Sequence, residues 1–255
     1  MTATDDLVSV VMPNFNGARF IDHAMHSVLN QAYETLELLV CDDGSTDDSR
    51  ERVQALASRD KRVRLLVNAE GKGPGAARNY ATTAARGRYI AFLDSDDIWE
   101  RDKLSLQLGL MREEHSPLSY TALRKMDDQG CFISGVIAVP DRTDYRTLLK
   151  SNVIACSSAV YDVSKVGKRY MPFVDKSEDF PLWLGILKEG HVAVGRTEPL
   201  LRYRVHATSY SANKLRAAAC YWQILRQIEH LSMAQSVYYF AHYAVISGSK
   251  FLKKT

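Results

Sequence analysis

Gly87-Arg-Tyr-Ile-Ala-Phe-Leu-Asp-Ser-Asp-Asp97 decides how the chain folds, because an apolar run stops abruptly on three carboxylates within four residues. A strand covered on both faces of a parallel sheet reads as such a continuous run, and ligands of open α/β sheets bind outside the carboxyl ends of the strands. Working outward from it, short β-branched runs alternate with segments of helical period. Strands are expected at 7–12, 36–41, 63–67 and 88–93, and helices from 21 to about 31, at 45–58 and at 75–86. Ile21, Met25, Val28 and Leu29 lie on one face of the first helix. This order predicts an α/β fold whose first half is doubly wound and of nucleotide-binding type.

Beyond residue 97 the expected order is mixed. A helix is expected at 102–114, strands at 119–124 and 131–139 joined by the Asp127-Asp-Gln-Gly130 turn, further strands at 156–161 and 192–195, and a helix starting near Glu178. Residues 212–247 carry helical propensity with Tyr, Trp and Phe on several faces, so a boundary is placed near Ala212. The expected organisation is a main domain at 1–211, divided into a nucleotide-binding half (1–110) and a second half (111–211), with a C-terminal helical appendage at 212–255.

With 255 residues, 46% hydrophobic and 25% charged, the chain has enough apolar material for a sizeable core, which excludes disordered and fibrous classes. A formal net charge of only +3 gives no whole-molecule field for nucleic acid. Cys41, Cys131, Cys156 and Cys220 are scattered without metal-ligand or redox spacing and are expected to be reduced thiols. The N-terminus runs from Asp5-Asp6 directly into Leu7-Val-Ser-Val-Val-Met12 with no basic or long apolar lead. No apolar stretch reaches the ~18 residues of a membrane span, so a cytosolic body is expected.

Two acidic clusters sit at predicted strand ends, Asp42-Asp-Gly-Ser-Thr-Asp47 and Asp94-Ser-Asp-Asp97. Crowded carboxylates raise one another's pKa unless a cation or strong donors compensate. Hard oxygen ligands in this arrangement suit Mn²⁺ or Mg²⁺ bridging to substrate phosphates. Either cluster alone could be no more than a turn or a helix cap; two after successive strands point to a ligand site.

The sequence resembles the family 2 glycosyltransferases of GT-A fold. The resemblance rests on Val8-Ser-Val-Val-Met-Pro-Asn-Phe-Asn16, Asp42-Asp-Gly-Ser-Thr-Asp47, Gly75-Ala-Ala-Arg-Asn79 and the stretch quoted first, in that order over about the first 110 residues. A weaker echo continues through Glu178-Asp179 to Arg202-Tyr-Arg-Val-His206. The resemblance implies that Pro13 and Phe15 flank a nucleotide base, that Asp43, next to Asp42, accepts from uracil N3, and that Arg78 contacts base or diphosphate. Asp94-Ser95-Asp96 matches the DxD motif, with Asp96 the metal ligand and Asp94 on ribose or metal. Asp179 matches the catalytic base, and His206 the histidine near diphosphate and metal. The chemistry agrees: a diphosphate leaving group needs positive charge, and an acceptor hydroxyl needs a base opposite it. Direct attack inverts the anomeric centre.

Each residue also has a plainer reading. Arg78 suits a solvated helix surface, Asp179 a helix cap, and the Arg202, Arg204, His206 alternation the exposed face of an edge strand. Trp183, one turn after Asp179, suits an acceptor-stacking platform or, more commonly, a core. Gly71-Lys-Gly-Pro-Gly75 has neither P-loop nor dinucleotide-loop spacing and is expected to be a mobile loop near the donor or an exposed connector. From Asn213 on, six basic residues face the single acid Glu229 among many aromatics. That composition suits peripheral membrane contact, a homodimer, or packing on the catalytic domain.

The expected activity is metal-dependent transfer of a sugar from a nucleotide-diphosphate donor, UDP-linked, to a saccharide or lipid-linked acceptor. Two alternatives stand beside it. An inactive nucleotide-sugar binding module need not keep Asp43, Asp96 and Asp179 together. A nucleotidyltransferase would place a glycine-rich, positively charged loop where Pro13-Asn-Phe-Asn-Gly17 stands.

Overall fold

The structure is a computed structural model that describes residues 6–68, 71–174, 177–206 and 214–252. Its N-terminal half keeps the expected order: β1 (Val8–Asn14), α1 (Ile21–Leu29), β2 (Leu36–Asp42), α2 (Ser49–Ala57), β3 (Val63–Val67), α3 (Pro74–Ala84) and β4 (Tyr89–Phe92). β1 pairs in parallel with β2 and β4, and β2 with β3. Alternate residues serve opposite cores. Val11 joins Leu39, Ile90 and Ala77 on the α3 side, while Val10 and Met12 join Leu38, Met25 and Val53 on the side of α1 and α2. Covering both faces is what gives these strands their unbroken apolar runs.

The rest of the sheet is mixed. It comprises β5 (Ile98–Trp99), α4 (Lys103–Glu113), β6 (Leu118–Met126), β7 (Phe132–Ile137), β8 (Arg142–Thr143), α5 (Tyr145–Leu148), β9 (Val160–Asp162), α6 (Val163–Val166), α7 (Asp179–Lys188) and β10 (Ala193–Arg204). The order across the sheet is β3-β2-β1-β4-β9-β6-β10-β5, with β7 on β6 and β8 on β10. β9 is antiparallel to both β4 and β6, whereas β10 runs parallel to β6.

Three expectations need correction. The strand expected at 156–161 is a 3₁₀ turn, Cys156–Ser158, followed by β9. The turn is pinned from outside its own segment: Ser157 O accepts from Trp99 Nε1 (2.7 Å), and Ser158 O from Gln107 Nε2 (3.0 Å). The short strand expected at 192–195 is the start of the 12-residue β10, whose register slips between Arg196 and Leu201. A bulge hides strand periodicity from a sequence reading. β5, two residues long, was not expected; it pairs antiparallel with β10, and Trp99 N donates to Ser27 Oγ of α1 (3.2 Å).

α8 (Lys214–Gln223) continues through a π-helical turn, Ile224–Ile228, and precedes α9 (Met233–Leu252). The boundary expected near Ala212 lies outside the described residues. Of the three uses considered for this region, packing on the catalytic domain is observed. Tyr221 stacks on Phe180 of α7 (5.7 Å) and on Tyr243 of α9 (4.2 Å), and buried Glu229 accepts from Tyr145 Oη (2.6 Å) and Lys188 Nζ (2.9 Å). The outer side of α9 leaves Met233, Val237, Tyr238 and Val245 exposed. Among the described residues, no helix is long and apolar enough to cross a membrane.

Candidate active site at the strand ends

The carboxylates after β2 are consumed by the fold. Asp42, fully buried, accepts from Asn14 Nδ2 (2.9 Å), Ser45 N (3.0 Å) and Arg50 Nε, which together outweigh its burial and lower its pKa. Asp43 accepts from Asn68 Nδ2 and from Gly73 N, both at 2.7 Å. The Gly73 bond anchors the loop that opens α3 to this end of the sheet. Pro13 is buried within β1 opposite Cys41, whereas Phe15, just past the strand, is 63% exposed. Gly17 approaches closely here: a Cβ would stand 2.2 Å from Asn14 Oδ1 and 3.1 Å from Ser95 Oγ.

The carboxylates after β4 are left short of partners. Ligand oxygens of Asp94, Asp96 and Asp97 lie within 4.8 Å of one another. Asp97 is 1% exposed; its Oδ1 accepts from Arg204 N (2.8 Å), but its Oδ2 is buried with no hydrogen-bond partner. Burial, followed by repulsion from Asp96 and Asp94, pushes its pKa well above the usual carboxylate range. Burial and Asp94 also raise Asp96, against the pull of His206. An orphaned oxygen beside two more carboxylates fits a hard divalent cation, since one ion would relieve both the repulsion and the missing partner.

Basic side chains converge on the same group. Arg78, 7% exposed, bonds Asp94 Oδ1 through NH2, while its Nε is buried without a partner. Burial works against the guanidinium, but Asp94 more than offsets it and Arg78 stays charged. His206 bridges Asp96 Oδ2 (2.8 Å from Nε2) and Asp128 Oδ1 (2.7 Å from Nδ1), and Arg19 closes on Asp128 (2.8 Å). Arg204 bonds Asp96 O (2.8 Å) and Asp127 O (2.7 Å) with its guanidinium over Phe20. The edge-strand reading of this alternation therefore fails: β10 lies between β6 and β5, and Arg204 is buried.

Asp179 is the first residue of α7 and sits half-buried near Arg78, Asp94 and Glu178. Burial lifts its pKa to about 6, opposed by Arg78 and reinforced by Glu178 and Asp94. Glu178 also reaches the start of α3, where a Cβ on Gly75 would stand 3.0 Å from its Cγ. With Lys72, Asn79 and 91%-exposed Phe173 it lines a cleft of about 80 Å³. Trp183 is fully buried and edge-on to Phe92 (5.8 Å between centroids), so no face is open for stacking on a sugar.

The fold thus brings Arg78, Asp94, Asp96 and His206 into direct contact, with Ser95 beside Gly17 and Asp179 within electrostatic reach. Asp43, Asp42 and Phe15 form a neighbouring group at the ends of β1 and β2. Sequence reasoning counted Asp97 in the acidic cluster without giving it a ligand role of its own, and it missed the contacts of Arg204 and Asp128 with the site. Asp97 was legible as a third carboxylate at the strand end, whereas Arg204 and Asp128 carry no local signal and arrive only through the pairing of β10 with β6.

The pattern of glycosyl transferase family 2 matches residues 9–147. The chain belongs to that family and is a glycosyltransferase of GT-A fold. It is 37% identical over 244 residues to the putative teichuronic acid biosynthesis glycosyltransferase TuaG of Bacillus subtilis, covering 96% of this chain and 97% of the relative. Over 247 residues it is 38% identical to WfgD of Escherichia coli, a UDP-Glc:alpha-D-GlcNAc-diphosphoundecaprenol beta-1,3-glucosyltransferase, covering 96% and 95%. Among solved structures, S. aureus TarS in complex with UDP-GlcNAc superposes with a TM-score of 0.71 at 18% identity, covering 94% of this chain and 71% of that one. The mannosyltransferase PcManGT of Pyrobaculum calidifontis, in complex with GDP-Man and Mn²⁺, gives 0.68 at 19%, covering 88% and 64%.

Proposed function

We propose that this glycosyltransferase is metal-dependent and inverting, and moves a sugar from a UDP-linked donor to a hydroxyl of a lipid-linked saccharide at the cytoplasmic face of a membrane. The observation that carries the reading is a set of neighbouring side chains at the strand ends: an undercompensated carboxylate trio, a buried arginine with a bare Nε bonded to one of the three, and a separate carboxyl whose pKa is about 6. Asp96 and Asp97, with Asp94 and His206 beside them, would hold Mn²⁺ or Mg²⁺. The ion would supply positive charge to the departing diphosphate.

The chain's own groups divide the remaining work. Arg78 neutralises diphosphate charge through donors already oriented by Asp94, at no reorganisation cost during the reaction. Asp179 takes the proton of the acceptor hydroxyl as that oxygen attacks; a pKa near 6 leaves it ionised at neutral pH yet basic enough to accept. Phe15 offers an exposed ring to the nucleotide base. Each Asp43 oxygen already accepts one bond and has a further lone pair, which is what pairing with uracil N3 needs. Ser95 and Asp94 border the ribose. Uridine donors of relatives support the choice of base, and an undecaprenol-linked acceptor named for one of them supports the choice of acceptor. The exposed apolar stripe of α9 supports membrane contact. Assembly of a surface polysaccharide is the setting in which such a product is used.

Calorimetric titration of UDP, ADP and GDP with and without Mn²⁺ tests the reading. Metal-dependent preference for UDP is expected, and equal binding of the three nucleotides sinks the uridine assignment. A thermal-shift screen of nucleotide sugars then identifies the donor, since a ligand at 100 times its Kd adds ~2.7 kcal/mol of stability.

A further inference from the structure

Trp183 stands one helical turn after Asp179 in α7, and side chains four apart in a helix share a face. Its ring is locked: fully buried, it meets Phe92 edge-on at 68° next to the strand end that carries the carboxylate trio. A buried indole N–H usually finds an acceptor. The Trp183 Nε1 has none of ordinary hydrogen-bond geometry. Asp179 is the side chain one turn before it on the same face of α7, and the indole favours the charged form of that carboxyl. Arg78, Asp94 and Glu178 are the charged groups that also act on Asp179. Trp183 is the neutral donor among them, and so the one able to aim the carboxylate without competing for it as a counter-ion.

We propose that Trp183 is the positioning residue of the base: its indole N–H holds one oxygen of Asp179 so that the other faces the acceptor hydroxyl. This rests on Asp179 being the base. In the step, the acceptor O–H bond breaks and its proton goes to the oxygen of Asp179 that Trp183 does not hold. The acceptor oxygen bonds the anomeric carbon, and the bond from that carbon to the diphosphate breaks with the electron pair leaving on the diphosphate. A donor bonded to the ionised carboxylate also lowers its pKa, so removing the N–H raises the pKa and moves the acid limb of kcat to higher pH.

Trp183→Phe keeps an aromatic ring and deletes the donor. Expected is a fall in kcat of about tenfold, the worth of one hydrogen bond to a charged group, with the acid limb moved to higher pH and Mn²⁺-dependent UDP affinity unchanged. An unchanged kcat and acid limb overturns the proposal, and a lower kcat with an unmoved limb reduces Trp183 to packing. Should that variant fail to fold, nitrogen-15 spectra of the ligand-free chain decide, because only three tryptophans contribute indole signals. One signal is expected to titrate with Asp179 and to stop doing so in Asp179→Asn; three signals indifferent to that substitution overturn the proposal. If Asp179→Asn itself leaves turnover intact, the assignment of the base has failed instead.

Discussion

Two acidic clusters that look alike in the sequence, each at the end of an apolar strand, have opposite fates. After β2, every carboxylate oxygen of Asp42 and Asp43 meets protein donors, and the pKa of Asp42 is lowered. After β4, the pKa values of Asp96 and Asp97 are raised, and one buried oxygen of Asp97 has no hydrogen-bond partner among the described residues. The first cluster is a brace that shapes the loops at the ends of β1 and β2. The second has electrostatic work outstanding, which a ligand can complete. Counting carboxylates does not separate a brace from a ligand site; counting their donors does.

The largest effect expected falls on Asp179, the proposed base near the second cluster. Asp179→Asn should lower kcat by ~10² to 10⁴ while Mn²⁺-dependent UDP affinity holds. In the wild type, kcat should fall on the acid side of about pH 6 as Asp179 gains its proton. Transfer within a few-fold of wild type would shift attention to Glu178, its neighbour.

Next comes the brace. Asp42→Ala strands Asn14 Nδ2, Ser45 N and Arg50, and should cost roughly 3 kcal/mol, seen as a large drop in melting temperature. The lowered pKa of Asp42 makes its contribution complete above the ordinary carboxylate range and lost as pH falls through the folded value. A variant as stable as wild type would erase the contrast between the clusters.

On the other side, Asp96→Asn should keep the fold and weaken Mn²⁺-dependent UDP binding by about tenfold or more, one lost charged ligand being worth at least ~1.4 kcal/mol. Unchanged affinity in calorimetry would mean the metal site is misplaced.

The smallest effect sharpens the comparison most. Asp97→Asn should stabilise the metal-free protein at pH 7 by about 1 kcal/mol, seen as a higher melting temperature, because it removes a buried charge repelled by two others. Its folded-state pKa is raised above 3.8, so the folded chain holds that proton more tightly than the unfolded one. Metal-free stability therefore declines as pH rises from about 4, and the variant should flatten the decline. A destabilised Asp97→Asn would show that the oxygen without a partner is satisfied after all.

Much of this was legible in the chain itself. The unbroken apolar runs of β1, β2 and β4 follow from burial on both faces, and polar residues at their ends had to emerge at one edge of the sheet. Local period and local composition determine both, and that is why the N-terminal half, the trio and Arg78 in its Ala-rich helix could be placed from sequence. The tertiary structure decided everything that depends on donors arriving from far along the chain. Only the pairing of β10 with β6 brings Arg204 and His206 to Asp96, 108 and 110 residues away. Only the packing of Trp183 in α7 against Phe92 in β4 buries its N–H, one turn after Asp179, without a hydrogen-bond partner. A carboxylate's role follows from its desolvation and its partners, and neither exists until strands distant in sequence have closed around it.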